Sequence, residues 1–543
     1  MPVTPKKLVD QHSRWKAGYD LVRKDIMSDA YRKQTSNTVK NKKILQNTLT
    51  LYARQLFITF VNLYTLRVVL NTLGIEDYGI YTVIGGIVAL TSFLPGTMSS
   101  ATQRFFSFAI GQNDHEALKK IFSVNLIIYI GIAVLSVAIL ESAGFWFVHE
   151  SLRLPAERLD AAQTLYQLSI FTFIFSLLAS PFVAIIIAHE DMALYAYVSL
   201  FETVAKLLIA ITLGYSPWDK LTFYGLLLLL ASVVTTIIYI TVCKAKYAEC
   251  QFGTLHFDRK LLKEILGFTG WTLFGQLSTV ARNQAVTILL NQAFNPAVAA
   301  ARAIALTVAG QVNVFASNFN TSLYPPIIKH YSSNQKEEMF SLLFWGSKLS
   351  FFLMWTFALP LYLEMETVLT LWLGTVPSEA IMFTKLALIE TLIVSFAMPL
   401  ATAARAPGKM RFYELTLGTM QLLIFVGAWL CLDLGYAASS VFIIAIIVNL
   451  LMFVVRLLIV HHLIGLHLLA FSKKVLIPIG LVVAVSAIPC LVMRAQLPPS
   501  LMNSAMVIVV SISLSTVSMY YIGLDALTRQ KVKHAIQARM ART

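Results

Sequence analysis

Three arginines stand inside long apolar runs of the chain: Arg54, Arg282 and Arg302. A guanidinium is planar, keeps its charge, and holds an oxyanion through two parallel charge-assisted hydrogen bonds. Each of the three has amides and hydroxyls around it at helical spacing. Asn47, Thr50, Arg54, Asn62 and Thr65 fall on one helical face, within about 120° of one another. Thr272, Gln276, Thr279, Asn283 and Thr287 share a second face, with Arg282 at its edge. On a third helix, Arg302, Asn313 and Asn320 lie on one side and Thr307, Gln311, Asn318 and Thr321 on the other. A helix polar on two sides within an apolar environment must be surrounded by protein or line a water-filled space. We expect Arg54, Asn62, Arg282, Asn283, Arg302, Gln311, Asn313 and Asn320 to line a binding cavity. Two acids are candidates to hold a coupling ion, a proton or sodium. Glu390 is one, and Glu202, four residues before Lys206 on the same helical face, is the other. No organic cofactor and no metal site are expected.

The elements that must position these residues follow from composition. The chain has 543 residues, of which 57% are apolar and only 13% charged. That charged fraction is about half of what a soluble domain carries, and the apolar fraction excludes a disordered chain. The expected class is an all-α polytopic membrane protein. A crossing helix needs about 20 mostly apolar residues, and about fourteen such runs can be read between residues 46 and 524. Of the 43 Lys and Arg residues, 31 fall in segments on one side of these runs and 4 on the other. Basic loops stay cytoplasmic, so both termini are expected inside. Residues 1–45 form a basic tail with net charge +7, and residues 525–543 a second with +4. Together they hold most of the overall +15. This charge therefore meets anionic lipid and gives no reason to expect nucleic acid. Near the inner ends, Lys348 and Arg456 are expected to extend to the headgroups.

Residues 54–120 and 275–340 are similar at an offset of about 221, with Gly111 to Glu116 falling on Ser332 to Glu337. Six runs precede the loop at 244–270 and six follow it. The expected domains are a first lobe at 46–243, a second at 271–460, and two appended helices within 461–524. Parallel repeats of this kind build transporters with a central cavity. The motifs of zinc proteases, phosphate-binding loops and dithiol redox sites are missing from the sequence, and no enzymatic activity is expected.

The stretch Arg67 to Tyr81, with Leu73-Gly74 and Tyr78-Gly79, followed by Gly85-Gly86 and by Met98 to Phe105, resembles the first two helices of bacterial polysaccharide flippases. These belong to the multidrug/oligosaccharidyl-lipid/polysaccharide exporter superfamily. The resemblance implies two six-helix lobes rocking around a cavity in the bacterial cytoplasmic membrane. The implied cargo is an undecaprenyl-diphosphate-linked oligosaccharide for O-antigen, capsule or exopolysaccharide synthesis, and the implied partners are membrane lipids and other polysaccharide-assembly proteins. On that reading the arginines meet the diphosphate and the amides the sugar. The alternatives are a cation-coupled multidrug exporter of the same superfamily and, further off, a membrane polysaccharide polymerase or ligase. The last would need a large outer loop, and the sequence has none.

Overall fold

The computed structural model describes residues 46–525 except 63, 70, 75–76, 79, 82–83, 86–87, 89–90, 92, 145–155, 252–256, 295 and 374–375, together with 529–530. The expected tail at 1–45 and most of that at 525–543 lie outside the described residues. No strand occurs among the described residues. Among the described residues, twelve helices are long and apolar enough to cross a membrane. They are α1 (Gln46–Gly74), α3 (His115–Ile139, continuing to 142), α4 (Leu159–Ala188), α5 (Met192–Thr212), α6 (Lys220–Lys246), α8 (Pro296–Ser332), α9 (Lys336–Leu363), α11 (Ala380–Arg405), α12 (Met410–Asp433), α13 (Ser440–Ile464), the run α14–α15 (Leu468–Phe471 and Ile477–Gln496, joined by a π turn) and α16 (Leu501–Ser518). Two more polar helices, α2 (Phe93–Gln112) and α7 (Arg259–Ala293), pack among them, and the short α10 (Met365–Leu373) caps one end.

Contacts between chain-distant residues place α2 and α7 as crossings too. Asn47, Gly111, Glu190, Lys329, Ser333 and Ala406 gather at one end of the bundle, here called the tail end. Thr72, Asp77, Arg158 and Asp219 gather at the other, the far end. The chain is at the far end near Asp77 and back at the tail end by Gly111, so α2 spans the bundle. It leaves the tail end again after α6 and returns along α8, so α7 spans it in the opposite direction. This recovers the fourteen crossings expected from the sequence, most with boundaries within about six residues. The exceptions are α2, which begins at Phe93 rather than 79, and α7, which begins at Arg259 rather than 271 because its first three turns are amphipathic rather than apolar.

Local chemistry explains where the helices begin. Asp114, Asp219 and Asp258 each accept a backbone N–H in the first turn of α3, α6 and α7, satisfying donors that a helix start leaves free. The internal repeat is visible in the turns. Asn113 (φ 56°) and Asn334 (φ 57°) are both left-handed, at the predicted offset of 221. Asparagine tolerates that conformation better than other side chains. The same two bonds close each turn, Asn113 N–H to Ile110 and Asp114 N–H to Ala109, Asn334 N–H to Tyr331 and Gln335 N–H to His330. Packing repeats as well: α4 lies against α2, α3 and α6 as α11 lies against α8, α9 and α13.

The appended pair α15–α16 is fastened to α9 at both levels. Glu364, buried after α9, receives Arg494 Nε at 2.8 Å and Ser504 Oγ at 2.6 Å. Lys348 does not reach for headgroups as expected. It is buried and donates to Gly523 O and Asp525 Oδ1, each at 3.2 Å. A carbonyl and a carboxylate at the end of α16 compete with lipid for its ammonium, and they win.

Candidate functional site

Hydrogen bonds between the lobes converge on the tail half of the molecule. Arg104 of α2 crosses to Ala406 O (2.9 Å), with its guanidinium 4.9 Å from the Phe108 ring and 5.7 Å from that of Phe268. Arg405 Nη1 donates to Ser100 Oγ (2.8 Å), and Tyr324 Oη to Ser100 O (3.0 Å). Lys329 pairs with Glu190 (2.6 Å), and Ser333 donates to Gly111 O. Tyr52 Oη reaches Phe315 O, farther along α8, at 2.9 Å. No polar contact joins the lobes at the far end among the described residues. There the ion pairs stay within a lobe, as with Arg158 between Asp77 and Asp219. The Asp77 hydrogen bond, then that from Asp219, raises the affinity of Arg158 for its proton. Burial works against the Asp219 charge, yet the Thr222 N–H and Arg158 hold its carboxyl below the usual range.

Above the closed tail end lies a cavity of about 480 Å³ with 21 lining residues, twelve of which carry a hydroxyl. It is built from α2 (Ser99, Ser100, Gln103), α4 (Ser176, Ser180), α5 (Tyr195, Ser199, Glu202), α6 (Ser232, Thr235, Thr236, Tyr239) and α8 (Asn320, Thr321, Tyr324), with Arg405 of α11 at its floor. Helical spacing sets each group: Ser176 and Ser180 are four apart, and Ser232 and Thr236 likewise. Hydroxyls are inexpensive inside apolar helices because they donate back to the preceding turn. Ser180 does so to Ser176 O at 3.0 Å and Thr236 to Ser232 O at 2.8 Å.

The expected site residues separate into two groups. Asn320 and Glu202 line the cavity. Glu202 is paired with Lys206 at 2.7 Å, as their spacing predicts. Arg54 stands beside the same wall, donating to Ser199 Oγ at 3.4 Å with its guanidinium 4.6 Å from the Tyr195 ring. Asn62 and Gln311 are exposed, and Asn313 is half-buried with its Oδ1 unpartnered.

The remaining residues form a second centre inside the second lobe and do not line the cavity. Arg282 Nη1 lies 2.9 Å from Glu390 Oε1, which also accepts Asn449 Nδ2 at 3.1 Å. Arg282 Nη2 donates to Asn283 Oδ1 at 2.9 Å. Arg302 donates to Thr287 Oγ1 at 2.5 Å and to Asn283 O at 3.2 Å. One carboxylate thus serves two neighbouring guanidiniums. The cluster joins α7, α8, α11 and α13, with three of its members on α7. The expected cavity arginine and the expected coupling acid are partners of each other. No group of acids, histidines or cysteines with metal-binding geometry occurs among the described residues.

Sequence reading missed Ser99, Ser100, Gln103 and the α4 and α6 hydroxyls, because single serines and threonines barely lower hydropathy. The i, i+4 spacing of Ser176 with Ser180 and of Ser232 with Thr236 was the signal available.

No family model and no curated protein matches the chain. Solved structures do match in fold. One is an outward-facing multidrug resistance MATE family transporter of the MOP superfamily, with TM-score 0.69 and 16% identity over 78% of this chain and 96% of that one. A second is a MATE structure in a bent conformation, with TM-score 0.69 and 15% identity over 80% and 96%. A third is a variant of the Vibrio cholerae MATE transporter VcmN, with TM-score 0.64 and 16% identity over 80% and 100%. The chain therefore has the MATE-like transporter fold.

Proposed function

We propose that the chain is an exporter working by alternating access across a bacterial cytoplasmic membrane. One observation carries this reading: a hydroxyl-lined cavity between two similarly packed lobes, shut by polar contacts at the tail end, with none between the lobes at the far end among the described residues. The Lys and Arg excess on the tail side supports a cytoplasmic tail end, and on that reading the closed end faces inward, as in an outward-facing state.

Two cargo classes follow from different observations. The similarity in fold to multidrug transporters supports a cation-coupled multidrug exporter, with Glu202 as the cavity acid for the cation. The twelve hydroxyls of the lining support a cargo rich in sugar hydroxyls, and hence a lipid-linked oligosaccharide flippase. Deletion of the gene separates them. Drug hypersensitivity with unchanged surface polysaccharide establishes the first. Loss of surface polysaccharide, with lipid-linked repeat units held in the inner leaflet, establishes the second. A deletion strain normal in both respects overturns both cargo assignments.

A further inference from the structure

Four acids are buried among the described residues: Asp77, Glu249, Glu364 and Glu414. Three of them have a cationic or ionisable partner, Asp77 with Arg158, Glu249 with His189 and Glu364 with Arg494. Glu414 has neither an ion pair nor a hydrogen-bond donor within reach among the described residues. It stands one turn into α12, 7% exposed, with its carboxylate laid against Gly275 of α7, in a niche that a side chain at 275 would fill. The charged groups facing it are Arg405 from α11 and Arg456 from α13, while α7 presents only the glycine there. Arg456 is engaged over the ring of Tyr413. Arg405 makes no ion pair with the acid; it reaches across the lobe boundary to Ser100 Oγ at 2.8 Å, with its own Nε unpartnered.

A carboxylate charge buried without a partner is costly. Glu414 has two ways to remove that cost. It can take a proton, or it can recruit Arg405, and these exclude each other's consequences at the cavity floor. We propose that Glu414 is a proton-operated switch on the tail-end gate. With Glu414 protonated, Arg405 is free to hold Ser100 and the lobes stay shut. When the proton leaves to cytoplasmic water, Arg405 turns to the carboxylate, its bond to Ser100 Oγ is lost, and the tail-end closure is weakened so that the end can part. The outward-open state therefore binds this proton more tightly than the inward-open state. A falling cytoplasmic pH keeps the gate shut. This inference rests on the alternating-access reading and deepens it.

The test is a distance measured across the gate. Glu116 and Lys336 are exposed in the first turns of α3 and α9, beside the paired Asn113 and Asn334 turns. Spin labels on Glu116→Cys and Lys336→Cys, with Cys431→Ser added and the other three cysteines buried, report the lobe separation of the full chain in lipid nanodiscs. The parent should move from a short to a long distance as pH rises, with the steepness of one proton. Glu414→Gln, of the same shape, should stay short at every pH, and Glu414→Asp should restore a titration. A Glu414→Gln chain that titrates like its parent overturns the switch. A parent fixed at the short distance, opened only by Arg405→Ala, also overturns it and leaves alternating access standing. If no variant opens at any pH, both the switch and alternating access fall.

Discussion

Glu390→Gln is the most informative single change in the second lobe. The substitution keeps the shape and an oxygen acceptor for Arg282 and Asn449, and removes only the charge. Arg282 and Glu390 are 11% and 13% exposed and sit 2.9 Å apart, so solvent screens the pair little. Removing one partner of a buried pair costs roughly 3–5 kcal/mol, because the other charge is left uncompensated. Here two guanidiniums lose their shared counter-charge, which argues for the upper half of that range. The direct hydrogen bonds that Arg282 keeps to Asn283 and Arg302 to Thr287 argue for the lower half. We expect about 4 kcal/mol, close to a thousandfold in the folding equilibrium. Arg282→Gln combined with Glu390→Gln should recover most of it, leaving a deficit of about 1 kcal/mol. Detergent-micelle unfolding with SDS, followed by tryptophan fluorescence, measures all three variants. A Glu390→Gln chain within about 1 kcal/mol of the parent, not improved by the second change, would refute the pairing argument. A stable Glu390→Gln chain that no longer exports would instead restore Glu390 as the coupling acid expected from its sequence position.

Other perturbations probe the ends of the bundle. Gly408 has φ +79°, and an added Cβ would lie 2.6 Å from the Arg104 guanidinium. Gly408→Ala should therefore cost roughly 1–2 kcal/mol for the left-handed backbone alone and loosen the tail-end closure, read as a lengthened distance between labels at 116 and 336. The Asp219 carboxyl is held below its ordinary value of 3.8. Its contribution to stability is present in full above that value and is lost as pH falls through the lower folded value. Acid titration of thermal stability should show this loss in the parent and not in Asp219→Asn. Lys348→Met removes the ammonium that binds Gly523 O and Asp525, and should raise hydrogen exchange in the last turns of α16 while leaving α1 to α13 unchanged.

The helices were legible because each needs an apolar run of membrane length, and that requirement is written one residue at a time. The repeat was legible for a different reason. Asn113 and Asn334 hold the same left-handed turn at the offset read from the sequence, a turn that Glu190 also makes, and the like packing of α4 and α11 accompanies it. What could not be read was which charge would meet which. Arg282 looked like a free cavity cation, since nothing in the spacing of α7 announces a carboxylate 108 positions later in α11. Lys348 was misjudged likewise, because the groups that hold it come from 175 and 177 positions away. Glu414 escaped notice because it lies near a helix end, where a charged residue reads as interfacial. Only its burial and the Gly275 niche reveal that it is enclosed.

The cavity also revises what the cargo must offer. Arginines were expected to make it a place for an acceptor such as a diphosphate. Its two charges are already engaged, Glu202 by Lys206 and Arg405 by Ser100. Ser180, Ser199, Ser232, Thr236 and Thr321 each give their one proton to a backbone carbonyl. A hydroxyl used in this way keeps its lone pairs, so these five can meet a cargo only as acceptors. These five positions select donors, whether the hydroxyls of a sugar or the N–H groups of an amine. A diphosphate carries no donor of its own. Under the oligosaccharide reading it would sit away from those five hydroxyls, at a guanidinium that gives up its present partner. Arg405 at the floor is the one such group in the lining, and its partner Ser100 belongs to the opposite lobe. Binding an anion there would compete directly with the contact that closes the tail end.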